Sequence, residues 1–281
     1  MPDTSPRYHL YHAEADALSG RLTLPLVQEI KLPTYVKLGE KGGYLSQHSE
    51  HYQLGGVVSF RSAYTQVAGN PDSKPDHGWN TLTTAVIENL NVMDVVTADR
   101  IVAQISTDHP LRGYVPMVTF LGTRFENLRI AGHEVKLDLD LNMLGPKPKD
   151  DGAYTSNQDF QKRVAAQRDR IRGQKNIPSD ISERYNQLPS SLKNQGSIKC
   201  SLVNQAEGAY PGRGFGHVID VPNFGKIYLA TLTLEQSDFE PKAGTPKQTL
   251  IHLTMIEMQM GCIGGGTIAG GTGKTNGGSY P

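Results

Sequence analysis

Residues 135–142 alternate without exception: Val135, Leu137, Leu139 and Leu141 take one parity, and Lys136, Asp138, Asp140 and Asn142 take the other. A period of two puts the apolar groups on one face of an extended backbone and the polar groups on the opposite face. Such a face needs a second layer to bury it, so the stretch predicts a half-covered strand of an antiparallel sheet. Just upstream, Arg129 and Ile130, then Ala131-Gly132, then His133 and Glu134 read as two short strands about a tight turn.

The same grammar recurs along the chain. Short apolar stretches at 22–30, 34–38 and 57–67 are separated by Gly42-Gly43 and Gly55-Gly56. Residues 70–79, with Pro71, Asp72, Pro75, Asp76 and Gly78, read as a turn-rich crossing that ends at Trp79. Residues 81–105 are rich in Val, Ile, Thr and Ala, and Ile101-Val102-Ala103-Gln104-Ile105 reads as a strand covered on both faces. Further strands are expected at 197–204, 217–221, 226–234 and 249–260, the last also with both faces covered. A load of 30 Gly and 17 Pro in 281 residues suits many strands joined by turns. The expected fold is mainly β, an antiparallel β sandwich or a barrel-like single domain over residues 1–281.

Two segments depart from that pattern. Residues 145–196 read as a short helical insertion. Ser156 and Asp159 fit a capping box, and Phe160, Val164 and Ile171 share one helical face. Arg168, Arg170 and Arg172 crowd the last turn, where the helix dipole favours cations, and Gly173 supplies a stop. A second helix is expected at 180–188 through Ile181, Tyr185 and Leu188, ended by Pro189. Residues 261–281, which carry Gly264-Gly265-Gly266, read as a glycine-rich C-terminal tail, either flexible or pinned by a partner.

Charge narrows the partners. With 28 basic against 28 acidic side chains, the chain lacks the surplus that binds polyanions, and no nucleic acid is expected. The predicted helix carries Lys162, Arg163, Arg168, Arg170 and Arg172 without interleaved aromatics, so it reads as solvated or protein-facing. No segment approaches the roughly 20 apolar residues of a spanning helix, and no membrane span is expected. The first residues lack a basic patch followed by an apolar run, which gives a cytoplasmic expectation, or an extracellular surface if a signal has been removed. Cys200 and Cys262 are too far apart for a metal knuckle or redox pair and read as two buried thiols.

Several motifs imitate known chemistry and fail on detail. Gly270-Gly271-Thr272-Gly273-Lys274-Thr275 resembles a phosphate-binding loop, but Ile268 stands where the first glycine is needed, and no helix can follow. Asp138, Asp140 and Asn142 imitate a calcium loop, but Met143 occupies the glycine position. Gly212, Gly214 and Gly216 precede a strand and read as a turn that delivers His217, a structural histidine. His48, Glu50 and His51, with His9 and His12 elsewhere, form the nearest approach to a metal cluster, and they too read as a solvated loop. His133-Glu134 lacks the second histidine of a zinc protease, and the Gly-x-Ser-x-Gly elbow is absent. No catalytic residue, metal or cofactor is expected.

The stretches Leu90-Asn91-Val92-Met93-Asp94-Val95-Val96-Thr97-Ala98-Asp99 and Phe125-Glu126-Asn127-Leu128-Arg129-Ile130-Ala131-Gly132-His133-Glu134-Val135 resemble a pattern of bacterial choice-of-anchor surface proteins. That resemblance covers about a fifth of the chain and implies a β-rich protein at the cell surface with no known catalysis. The leading expectation is a structural or protein-interaction domain that self-associates, a homo-oligomer in which helical arm and glycine tail touch neighbouring subunits. The alternative is a small-ligand or metal-binding protein, or an enzyme, with a site built from loops around His48, Glu50 and His51, around Trp79, and around His217.

Overall fold

In a computed structural model the described residues are 8–24, 27–30, 34–71, 77–111, 113–149, 152–186, 188, 196–237, 248–261 and 265–280. The chain opens with β1 (Tyr8–Leu22), β2 (Gln28–Ile30), β3 (Val36–Lys37) and β4 (Gly43–Leu54). Three long strands follow, β5 (Val58–Pro71), β6 (His77–Val92) and β7 (Val96–Pro110). Five short ones come next: β8 (Met117–Thr119), β9 (Arg124–Glu126), β10 (Arg129–Ile130), β11 (His133–Glu134) and β12 (Lys136–Leu139). Helices α1 (Gln158–Arg172) and α2 (Ser179–Arg184) form the insertion. Strands β13 (Gly196–Ser201), β14 (Val203–Glu207), β15 (Arg213–Phe215), β16 (Val218–Val221), β17 (Gly225–Ser237), β18 (Gln248–Met260) and β19 (Gly266–Tyr280) complete the chain.

The strands build two antiparallel sheets packed face to face, the mainly β sandwich that the alternation predicts. The first runs β15-β16-β17-β18-β19-β1-β2, with β13 added on β17 and β3 on β1. The second runs β11-β10-β7-β6-β5-β4, with β8 and β9 on β7. Across the sandwich β1 lies over β5 and β6, β19 over β6 and β7, and β18 over β7. Small residues of the first sheet, Gly270, Gly271 and Gly273 on β19, lie against the fully buried Ile87, Ile101 and Ile105 of the second. Among the described residues no helix is long and apolar enough to cross a membrane.

Both sheets change side-chain phase at one level. In β1 the buried positions are 11, 13, 15 and 17, then 18 and 22, and in β18 they are 249, 251, 253 and 255, then 256, 258 and 260, with Thr254 buried beside the step. Pairing is interrupted at that level without a change of register: Leu229↔Ile256 and Thr231↔Thr254 flank it on β17 and β18. Alternate strands there hold a residue in the left-handed region, Ala230 on β17 (φ 43°) and Gly271 on β19 (φ 61°). The second sheet repeats the device with His51 on β4 (φ 53°) and Asn89 on β6 (φ 53°). One residue outside the extended region reverses which parity faces inward. The mixed pattern of β18 comes largely from an alternation that changes step midway, whereas in β7 the consecutive Ile101, Val102 and Ala103 are all buried, so that stretch is covered on both faces as expected.

The alternating run at 135–142 forms a strand only over β12, paired with β14 in a separate two-stranded sheet. Leu137, Leu139 and Leu141 are half-buried against the main core and Val135 is fully inside, so the apolar parity does point inward. The tight turn at Ala131-Gly132 is present, with φ of 49° and 81°.

The insertion differs in its cap and its contacts. Asn157, not Ser156, caps α1: its side chain accepts from the amides of Asp159 (2.9 Å) and Phe160 (3.4 Å). Ser156 instead donates its hydroxyl to the Ala153 carbonyl at 2.6 Å, closing a 3-10 turn just before the cap. Gly173 stops the helix as expected, and α2 ends at Arg184, four residues early. Phe160 and Val164 join the main core, while Ile171, Ile181 and Tyr185 form a second core with Phe215, Val218 and Tyr228 on the outer face of the first sheet. Arg184 stacks over Tyr228 at 4.0 Å and bonds both carboxylate oxygens of Glu257. The arm therefore spends its apolar face on its own chain.

The expected tail is a correction of a larger kind. Residues 266–280 are strand β19, inserted between β1 and β18 along nearly their whole length. Its glycines are what let the sheets close. A Cβ on Gly270 would stand 3.0 Å from Ile87 Cδ1 and 3.1 Å from Ile256 Cγ2, and one on Gly273 would meet Thr83 Cγ2 at 3.2 Å. Composition reads these glycines as too little to make a core, but the missing side chains are supplied by the opposite sheet.

Candidate functional site

His48, Glu50 and His51 lie on β4, not in a loop. This strand ends the second sheet, and among the described residues no strand pairs with its far edge. Directly paired residues of an antiparallel sheet share a face, so the inward parity of β4 follows from β5. Leu45 pairs with Val67 and Gln47 with Thr65. Val67 and Thr65 are fully buried, whereas Leu45 is 46 % exposed and Gln47 is exposed too. The first sheet thus reaches β4 mainly through β3 and the core-facing Tyr52 and Leu54, and over residues 43–48 the strand is open along its edge and on both faces. Tyr44 is 61 % exposed beside Leu45, and Tyr35 is 48 % exposed just before β3, which lies against β4 and β5.

Natural edge strands are commonly guarded by Lys, Pro, short length or a local bend. β4 runs for 12 residues without Lys, Arg or Pro, and its guards are Glu50 and the left-handed bend at His51. His48 and Glu50, two apart, share one face and meet at 3.1 Å between Nε2 and Oε1. The His48 hydrogen bond and charge hold the Glu50 carboxyl below its usual range. His51, displaced by the bend, adds no third ligand, and among the described residues no three His, Cys, Asp or Glu side chains gather to hold a metal.

Trp79 also leaves its expected loop. It sits on β6, stacked on the His9 imidazole at 4.9 Å with 5° between the planes. His9 lies 4.6 Å from both Tyr11 and His109, so four rings close one end of the sandwich. Burial lowers His9 to about 4 and holds His109 well below the ordinary imidazole value. Both His109 nitrogens are sealed from solvent and lack a hydrogen-bond partner among the described residues. His109 and Tyr11 are buried while His9 and Trp79 are partly exposed, and ring packing joins the four. Sequence reading set His9 beside the His48 cluster and missed His109, a hundred residues away; the signal is the Trp79↔His109 pairing, visible only once register is known.

His217 occupies the turn after β15, fully buried and edge-to-face with Tyr185 at 4.6 Å. Burial, then the nearby Arg184 and Arg170 charges, push its imidazole down to about 3. The three predicted segments therefore belong to three places: a sheet edge, the closed end of the sandwich, and the floor beneath the helical arm. Cys200 is a free buried thiol pushed up by burial, and Cys262 lies outside the described residues, as does Asp76.

The two stretches that carry the surface-protein resemblance meet in space. β10 pairs with β7 through Arg129↔Thr97 and Ile130↔Val96, and Asn127 donates to Asp99 at 2.6 Å.

Comparison with curated proteins and with solved structures found no match. A family model matches residues 9–235, which end within β17, before the two strands that complete the first sheet. With four-fifths of its length so matched, the chain belongs to the family described as Domain of unknown function (DUF8256).

Proposed function

We propose that the protein is a structural, protein-interaction domain that self-associates by strand addition at the β4 edge. The observation that carries this reading is the uncovered state of β4, a long edge with exposed Tyr44 and Leu45 beside strands β5 to β7 that are buried on their inner face. An added strand would satisfy the outward N–H and C=O groups and cover both aromatic and aliphatic side chains. The resemblance to cell-surface proteins agrees with such a role, and an extracellular setting is part of the proposal. The helical arm and β19 are not the contacting parts, because both are satisfied within the chain.

Sedimentation tests the reading. The wild-type protein is expected to form a concentration-dependent dimer, and the Tyr44→Lys/Leu45→Lys variant to stay monomeric with an unchanged circular dichroism spectrum. Wild-type protein that sediments as a monomer throughout the accessible range would remove the proposal.

A further inference from the structure

We propose that the occupant of the β4 edge is the β4 of a second copy, laid antiparallel across a two-fold axis through Ser49, with His48 of each copy facing Glu50 of the other. This deepens the self-association reading and rests on it. A two-fold contact brings one strip of surface against itself, so the strip must be self-complementary. In an antiparallel pair centred on Ser49, position 48 lies opposite 50, 46 opposite 52 and 44 opposite 54. His48 then meets Glu50 on the outer face, whereas Leu54, beyond the bend at His51, turns to the inner face and adds nothing to Tyr44. Both members of each pair lie on β4, so every favourable contact occurs twice.

The neighbouring registers fail on charge. Centring on His48 sets the two His48 rings against each other and Glu50 against Ser46. Centring on Glu50 sets two carboxylates face to face, and like charges directly opposite destabilise a sheet. An axis between 48 and 49 pairs His48 with Ser49 and Glu50 with Gln47, and one between 49 and 50 pairs His48 with His51. Of these registers only the Ser49 axis gives each Glu50 an imidazole from the other copy; an axis between 50 and 51 would set Glu50 against His51, whose left-handed backbone stands outside the ladder. Within its own chain the Glu50 carboxylate meets His48 through Oε1, and a carboxylate can accept from a second donor through its other oxygen. The left-handed His51 falls opposite Gln47 and interrupts the ladder near each end, so the contact is short and the dimer reversible.

The register makes a chemical prediction. In the Ser49→Cys variant, the two introduced thiols face each other across the axis and form an interchain disulfide under mild oxidation. The Ser46→Cys variant, whose position lies opposite Tyr52, forms none. His48→Glu places carboxylates on both sides of each contact and should weaken the dimer about tenfold or more. The exchange His48→Glu/Glu50→His restores the pairing and should return the dimer to within about threefold of wild type, since the contacts are reciprocal. All four positions are half-exposed or exposed, so folding is preserved, and circular dichroism checks it. A dimer that forms without cross-linking in the Ser49→Cys variant, or that ignores the charge exchange, overturns this register while leaving the edge reading intact. A wild-type monomer overturns both.

Discussion

Replacing Gly271 by Ala tests the interior placement of the glycine-rich strand. Gly271 has φ of 61°, and a Cβ there would stand 3.3 Å from Ile101 Cγ2 and 3.3 Å from Met255 Cβ. An L-residue in the left-handed region costs about 1–2 kcal/mol. Squeezing a methyl into a packed core costs about 1–3 kcal/mol, offset by about 0.4–1 kcal/mol from the stiffer unfolded chain. The net expectation is a loss of about 2–3 kcal/mol. Gly132→Ala is the control, because Gly132 has φ of 81° but nothing within 4 Å of its Cβ position. It carries the backbone cost alone, with a net loss of about 1 kcal/mol or less. Urea unfolding followed by the fluorescence of Trp79, the one tryptophan, reads both variants as midpoint shifts at constant slope. If Gly271→Ala unfolds with wild-type midpoint, or no earlier than Gly132→Ala, then β19 is not pressed between Ile101 and Met255 and the packing argument fails.

Acid should destabilise the protein through its buried imidazoles. His9 is lowered to about 4 and His217 to about 3 from an unfolded value of 6.5, so below 6.5 the unfolded chain binds protons that the folded one refuses. The stabilisation is complete above pH 6.5 and drains away as pH falls toward 4 and then 3. His217→Phe should flatten that decline, and an unaltered pH profile of the unfolding midpoint would contradict it. At the helical arm, Arg184→Met leaves the mostly buried Glu257 carboxylate with the Gln259 amide but without its ion-pair partner and should cost about 2–3 kcal/mol. Arg184→Met/Glu257→Met should recover most of that loss, and equal losses in the single and double variants would show that the pair is not what holds α2 down.

The β class was legible because it is written locally. Alternation at 135–142, the Ala131-Gly132 turn and the mixed apolar run at 249–260 each predict an element that the structure contains. What escaped the sequence depends on other layers. Gly270, Gly271 and Gly273 read as a tail until Ile87, Ile101 and Thr83 of the opposite sheet fill their places. The phase change at Ala230 and Gly271 mimics a strand covered on both faces, because a single residue out of the extended region shifts parity without breaking register. Ser156 and Asn157 both suit a helix cap, and the 3-10 turn that takes the Ser156 hydroxyl decides between them. At the candidate site the residues His48, Glu50 and His51 were visible, but their role changes with place: a histidine cluster in a loop suggests a ligand, and the same residues on an uncovered edge suggest a strand.

Amide hydrogen exchange across residues 43–54, measured at low and at high protein concentration, tests the edge assignment most directly. Half of the β4 amides point away from β5 and exchange freely in the monomer. Protection of those amides that rises with concentration, with β6 and β7 unchanged, is the predicted result. Exchange across β4 that is the same at both concentrations, in protein shown to self-associate, would place the contact elsewhere and contradict the account.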